Sequence, residues 1–390
     1  MKLYKIVMMG LTLCLYGIEK LEAQPLNVLV VVEYFPAPSQ PHIVHLITEL
    51  INKGHNISIF SFKKNNVEGH PDIAKYSLMD RVTYDENPKI LPECDILFCQ
   101  SATLGKKILA IPSLKLWLKE RKMVVSLRGH DITKNALKSN PKAYKKLFTR
   151  TDLFLPVCDY FKNLAIRLGC SADKITVHHS AIDCSQFFFK ERLLEKKEVI
   201  QLVSVCRLVE KKGLIFAIQA MAQVVKRYPH IHYTIVGEGP ERARLEGAVR
   251  QLGLRHKVTF VGWKSPDEIV DILDKAHIFL LPSITATNGD EEGIANALKE
   301  SMAMGLISIG SLHAGTPELI TDGVSGFLVP QKNSKALAQK INYVIANAKM
   351  WQSIAKAARQ KIENEFEVKQ SIDQLEAIFY ELLAQDITNN

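Results

Sequence analysis

A chain of 390 residues is longer than one ordinary domain and long enough for two. With 47% hydrophobic and 23% charged residues it reads as soluble and globular, which excludes disorder, a fibrous repeat and a need for metal or disulfide staples. A net charge of +9 invites an anionic partner, but no aromatic-interleaved module accompanies it, so nucleic acid is not expected.

Residues 1–24 begin with Lys2 and Lys5, followed by a thirteen-residue apolar run at 6–18. That is the shape of a secretory signal and is too short to span a bilayer. Leu21-Glu22-Ala23 is a poor cleavage site, so the segment is read as an extension. It is a signal, a membrane-contacting peptide, or a leader before a later start at Met8 or Met9. The seven cysteines (Cys14, Cys94, Cys99, Cys158, Cys170, Cys184, Cys206) include no C-x-x-C and several lie in apolar runs. Buried free thiols in a reducing, cytoplasmic setting are expected.

From residue 25 the pattern becomes strand and helix in alternation. LNVLVVVE at 26–33 reads as a buried strand, 41–53 as a helix stopped by Gly54, and NISIFSF as the next strand. DILFCQ (95–100) and KMVVSLRGHD (122–131) read as later strands, the second ending in Arg128-Gly129-His130-Asp131. Residues 152–183 give strand, helix and strand, which closes a first domain at 25–185. Residues 186–198 are charged and lack a strand pattern, as a linker would. A second domain, 199–363, opens with a strand and the loop Arg207 to Gly213. It continues with a strand and glycine turn through Gly239, then a strand ending at Trp263, placed to stack on a ring or pack as core. Residues 350–383 are helical by pattern.

The richest stretch is DEEGIANALKESMAMG, residues 290–305. It stands between apolar strands at 277–283 and 306–310, a parallel βαβ unit whose loop falls at the carboxyl ends of the strands, where ligands bind in open sheets. Gly293 and Ile294 are expected to start the helix and to offer their amides to a phosphate. Glu292 and Glu300 lie eight positions apart, roughly 12 Å along one helix. That is too far for the paired carboxylates of a retaining glycosidase, which need about 5 Å, and suits two grips on one elongated ligand.

Residues 290–330, with Glu292, Glu300, Gly315, Pro317, Glu318, Gly323, Gly326, Leu328 and Val329, resemble the signature of the family 4 retaining glycosyltransferases, of the exopolysaccharide and colanic acid type. The resemblance implies two Rossmann-like doubly wound α/β domains facing across a cleft, the arrangement called GT-B. A helix at 364–390 would return to the first domain. It implies a nucleotide-sugar as donor and co-substrate, with no other cofactor and no required metal, and a glycan or lipid-linked acceptor. Arg207 and Lys212 match the pair that grips the donor diphosphate, Glu300 the ribose partner and Glu292 the donor-sugar partner. Gly239 matches the family's G-x-G-P. Where relatives carry His-Gly-x-Asp near the donor sugar, this chain places Arg128 at the His position, His130 two residues later and Asp131 in register. The loop 36–42 lacks the relatives' paired glycines, which leaves Ser39 and Gln40 without assigned roles.

Two readings from other classes compete. A periplasmic sugar-binding protein would also have two α/β domains and a signal-like start. A sugar-nucleotide epimerase would share the phosphate-binding logic but not the spacing of Glu292 and Glu300. One charge feature stands apart: residues 106–150 hold thirteen Lys or Arg against Glu120 and Asp131, a local +11. It is either a solvated face or a surface for anionic lipid, which would place the protein peripherally on the inner face of the membrane.

Overall fold

The computed structural model describes residues 24–36, 41–65, 70–134, 142–194 and 199–389. The extension at 1–23, Cys14, Ser39, Gln40 and Lys138 lie outside the described residues.

Two six-stranded sheets of identical design make up the core. The first runs β1 (Asn27–Phe35), β2 (Asn56–Lys64), β3 (Val82–Tyr84), β4 (Ile96–Cys99), β5 (Lys122–Leu127) and β6 (Leu153–Pro156). Its spatial order is β3-β2-β1-β4-β5-β6. The second runs β7 (Ile200–Val205), β8 (Ile231–Val236), β9 (Val258–Gly262), β10 (Ile278–Leu281), β11 (Ile307–Ser311) and β12 (Phe327–Val329). Its order is β12-β11-β10-β7-β8-β9, the same winding repeated. All the pairings are parallel. Strands buried on both faces explain the continuous apolar runs: the four residues of β4 and the four of β10 are all buried. In each sheet the winding reverses beside the first strand, between β1 and β4 and between β7 and β10. Crevices at the carboxyl ends of those strands are the natural ligand sites.

Several helices matter for the site. α1 (Pro41–Asn52) follows β1, and α2 (Ala102–Leu109) follows β4. α3 (Asp159–Arg167) follows β6, and α4 (Asn296–Ala303) lies between β10 and β11. The helix α4 corrects the expectation drawn from residues 290–305. It is eight residues long and begins at Asn296, with Ala295 extended at its cap (φ −71°, ψ 129°). Glu292, Gly293 and Ile294 therefore belong to the preceding loop, and the axial spacing of 12 Å does not apply. The cause is packing. A Cβ on Gly293 would sit 2.8 Å from Phe161 of the first domain, so residue 293 is wedged between domains.

The chain from 350 divides into α5 (Trp351–Glu365) and α6 (Val368–Asn389). α6 returns to the first domain as the resemblance implied. Val368, Ile372, Leu375, Phe379 and Leu382 join the core built by Val28, Val30, Ile47 and Phe98. Each such side chain contributes about 1.5–3 kcal/mol when fully buried. Phe379 meets Phe98 edge-on at 5.6 Å, and Lys53 of the α1 turn pairs with Asp373 at 2.8 Å. The crossing is pinned by the Val368 amide donating to Ile182 at 3.0 Å and the Ile182 amide donating to Phe366 at 2.9 Å. The linker is not loose where it is described. Buried Arg192 donates to the carbonyls of Ala276, Leu273 and Met304, which fastens it to the second domain.

Candidate active site

Two loops build the second-domain side, both at the carboxyl edge of the sheet. The first leaves β7 and carries exposed Arg207, then Lys211, Lys212 and Gly213. It keeps its shape because two glycines admit it. Gly213 has φ +65° and a Cβ there would overlap the carbonyl oxygen of Pro282, at the end of β10. Gly239 has φ +156° and lies flat against Leu208. The glycine turn thus seats the Arg207 loop from behind.

The second loop runs from β10 to α4. Glu292 and Lys212 form an ion pair, each side chain less than one-fifth exposed. Burial alone would push the Glu292 carboxyl up, but Lys212, Lys211 and Arg207 outweigh it and hold it down at about 2. The Glu292 amide donates to His313 Nε2 at 3.3 Å. Lys211 is buried and donates to Asp290 at 3.1 Å and to the Glu291 carbonyl at 3.2 Å, so it ties the two loops together. On α4, burial pushes the Glu300 carboxyl up against the opposing pull of Lys299. Lys299 is fully buried and donates to the Ser180 hydroxyl at 3.0 Å, across the domain boundary. Trp263 is 64% exposed, past the end of β9.

The first domain supplies the opposite wall. Asp131 is buried and accepts from the amides of Ala102 (2.8 Å), Arg128 (3.1 Å) and Gly129 (2.9 Å). Its carboxylate staples the loop after β5. His130 is exposed on a short turn of helix. Arg128 reaches Gln100, at the end of β4, donating from Nη2 to Oε1 at 2.8 Å.

The walls meet around residue 291. Tyr160 donates to Glu291 at 2.9 Å, and the Glu291 amide donates to Thr133 Oγ1 at 3.2 Å. The Glu318 carboxylate accepts the amides of Asp159 and Tyr160 at 2.8 and 2.9 Å, at the start of α3. Sequence reasoning singled out Glu318 only as part of a motif and missed Glu291, Tyr160, Lys211, Gln100 and His42. Gln100 carried a signal, since it terminates an apolar strand at its carboxyl end; Glu291 and Tyr160 depend on which domain faces them, whereas Lys211 and His42 meet residues distant in sequence within their own domains.

Among the described residues one set of metal-type donors comes together, His45, His70 and Asp72, within 4.8 Å of one another. None of the candidate site residues belongs to it. A cavity of about 740 Å³, lined by Arg192, Gln201 and His277 among others, lies at the amino ends of β7 and β10, the opposite edge from Arg207. The six described cysteines are all free, five of them buried. No described helix is long and apolar enough to cross a membrane.

Residues 185–361 match the family described as glycosyl transferases group 1. The amylovoran biosynthesis glycosyltransferase AmsK of Erwinia amylovora is 39% identical over 246 residues, 63% of this chain and 60% of that protein. The chain thus spans about three-fifths of the length of AmsK, and likewise 61% of WcaL of Escherichia coli, named for colanic acid biosynthesis. WcaL of Salmonella typhimurium is 28% identical over 384 residues, 85% of this chain and 94% of that protein. Among solved structures, HepE of Anabaena, in complex with UDP and glucose, superposes with a TM-score of 0.72 at 17% identity, over 90% of this chain and 98% of that one. Sucrose-phosphate synthase of Thermosynechococcus elongatus gives 0.73 at 16%, over 93% and 100%. At those identities the likeness is one of fold, the whole GT-B frame. Two Rossmann-like domains close on a loop that carries Glu292, and the second domain is matched along its length by the group 1 glycosyl transferases.

Proposed function

We propose that this protein is a retaining glycosyltransferase that moves a sugar from a nucleotide-sugar to a glycan or lipid-linked acceptor in cell-surface polysaccharide synthesis. The match to glycosyl transferases favours this reading over the binding-protein and epimerase ones. The observation that carries the proposal is the convergence of Arg207, Lys212 and Glu292 at the carboxyl edge of the second sheet, opposite the first domain. The donor diphosphate lies against Arg207 as a fork and Lys212 as a point charge, with the Gly293 and Ile294 amides nearby. Lys212 is paired with Glu292 before the donor arrives. Phosphate draws Lys212 away and frees Glu292 to accept sugar hydroxyls, so nucleotide and sugar recognition are coupled. Glu300 holds the ribose. In the transfer step the bond from C1 to the phosphate oxygen breaks. The acceptor oxygen bonds C1 on the same face, and its proton passes to the departing phosphate. Cations and amides aimed at that oxygen stabilise the developing charge. HepE is described with UDP, so a uridine nucleotide is the first donor to test.

The division of labour gives different defects. Glu300→Gln is expected to weaken nucleoside diphosphate binding. Glu292→Gln is expected to spare it and lower turnover of the complete donor. Calorimetry and steady-state assays separate the two, and identical patterns would sink the assignment, as would an inverted product by proton NMR or loss of activity in EDTA.

Peripheral contact with anionic membrane is proposed for the basic stretch. Part of its charge is engaged internally: Lys107 pairs with Glu33 at 3.6 Å, and Lys106 sits over the Tyr144 ring. Lys115, Lys119, Lys145 and Lys146 remain exposed, and Leu116 beside them is 73% exposed. Flotation with acidic liposomes should fall as salt rises and fall again on charge reversal of these four lysines; flotation insensitive to both refutes the contact.

A further inference from the structure

At the carboxyl edge of the first sheet three side chains from three different elements hold buried nitrogens with no hydrogen-bond partner among the described residues. Arg128 leaves Nε unpartnered, Gln100 leaves Nε2, and His42, on the first turn of α1, leaves both ring nitrogens. Gln100 is only 4% exposed. The Arg128 guanidinium donates to a neutral amide oxygen of Gln100, not to a carboxylate. Its nearest acid, Asp131, is consumed by three backbone amides. Buried donors are almost always satisfied, and leaving one unmade is costly, the more so when it is charged. Three at one strand edge mark a place where acceptor oxygens are missing. His42, Arg128, His178 and Ser180 line a cavity of about 20 Å³. That is roughly the room of one water molecule, enough for a terminal oxygen and too small for a sugar ring. Burial first, and Arg128 second, hold His42 well below the ordinary histidine range, so its ring is neutral and supplies one N–H.

Resting on the transferase reading, we infer that Arg128 and His42, with Gln100 holding the guanidinium, form an oxyanion subsite that takes a carboxylate or phosphate of the acceptor. The guanidinium provides the charge, and the imidazole provides a second donor. A histidine at position 128 would serve a neutral hydroxyl; an arginine there favours an anion, because its guanidinium stays charged. The acceptor is therefore an acidic sugar or a phosphorylated one, and Arg128 is its selector.

The test uses the full chain and two probes, inorganic phosphate and D-glucuronate, with D-glucose as the neutral control. Binding is read by calorimetry in the wild type, in Arg128→Ala, in Arg128→Lys and in the double variant Arg207→Ala/Lys212→Ala. Wild type is expected to bind at least one oxyanion and not glucose. Arg128→Ala should weaken that binding about 10- to 100-fold, in keeping with loss of a charge-assisted contact, and Arg128→Lys should restore part of it. The double variant should retain it. Which probe binds tells a carboxylate from a phosphate acceptor. Oxyanion binding that survives Arg128→Ala but vanishes in the double variant belongs to the donor site and overturns the inference, as does wild-type binding of neither probe. Nucleoside diphosphate affinity, measured in parallel, should be untouched by Arg128→Ala; its absence from the wild type would count against the transferase reading instead.

Discussion

Replacing Lys212 by Ala is expected to lower nucleoside diphosphate affinity about 100-fold, since a charge-assisted hydrogen bond contributes about 1.5–3 kcal/mol. It should also destabilise the protein, because Glu292 is then left buried and unpaired, a change that costs about 3–5 kcal/mol when a partner is removed. The two effects are separable. Lys212→Ala/Glu292→Ala should recover most of the stability and none of the nucleotide affinity. The pair also has a pH signature. Its carboxyl is depressed from 4.5 to about 2, so its stabilisation is present above pH 4.5 and is lost as pH falls through about 2. In Glu292→Gln that acid dependence should flatten. Wild-type calorimetric affinity in Lys212→Ala would remove Lys212 from the donor site.

Gly213→Ala is the second large effect. Position 213 combines a left-handed backbone with a carbonyl oxygen of Pro282 where the methyl would go. Backbone, unlike a side-chain tip, cannot step aside without parting the loops after β7 and β10. A loss of about 3 kcal/mol is expected, with nucleotide binding reduced because Lys212 is displaced. Thermal and denaturant midpoints report the first, calorimetry the second. An alanine variant as stable as wild type would show that the two loops are not braced there.

What sequence conveyed follows from distance along the chain. Alternating strands, the two domains and the loop from Arg207 to Gly213 are local features, each set by a short apolar run followed by a polar turn. Glu292 illustrates the limit. Its surroundings look helical in sequence, yet α4 starts at Asn296, because Phe161, more than a hundred positions earlier, presses on Gly293. Asp131 shows another. Motif matching suggests chemistry, whereas the amides that hold its carboxylate come partly from α2, 29 positions away. Gln100, His42 and Arg128 could not be grouped before the order of β1, β4 and β5 was known.

The return of α6 has a consequence for how the molecule is made. Chains leave the ribosome amino end first and tend to fold a domain at a time. Here the first domain is translated first, but its core against β1 and α1 lacks Val368, Ile372, Leu375 and Phe379 until the second domain has been synthesised. The second domain, whose sheet is drawn from one continuous stretch of chain, can close while its predecessor still exposes an apolar face. Assembly thus runs against the order of synthesis, and the uncovered flank of α1 is the surface a chaperone would meet. A premature stop after α5 would spare every candidate site residue and still leave the first domain unfinished.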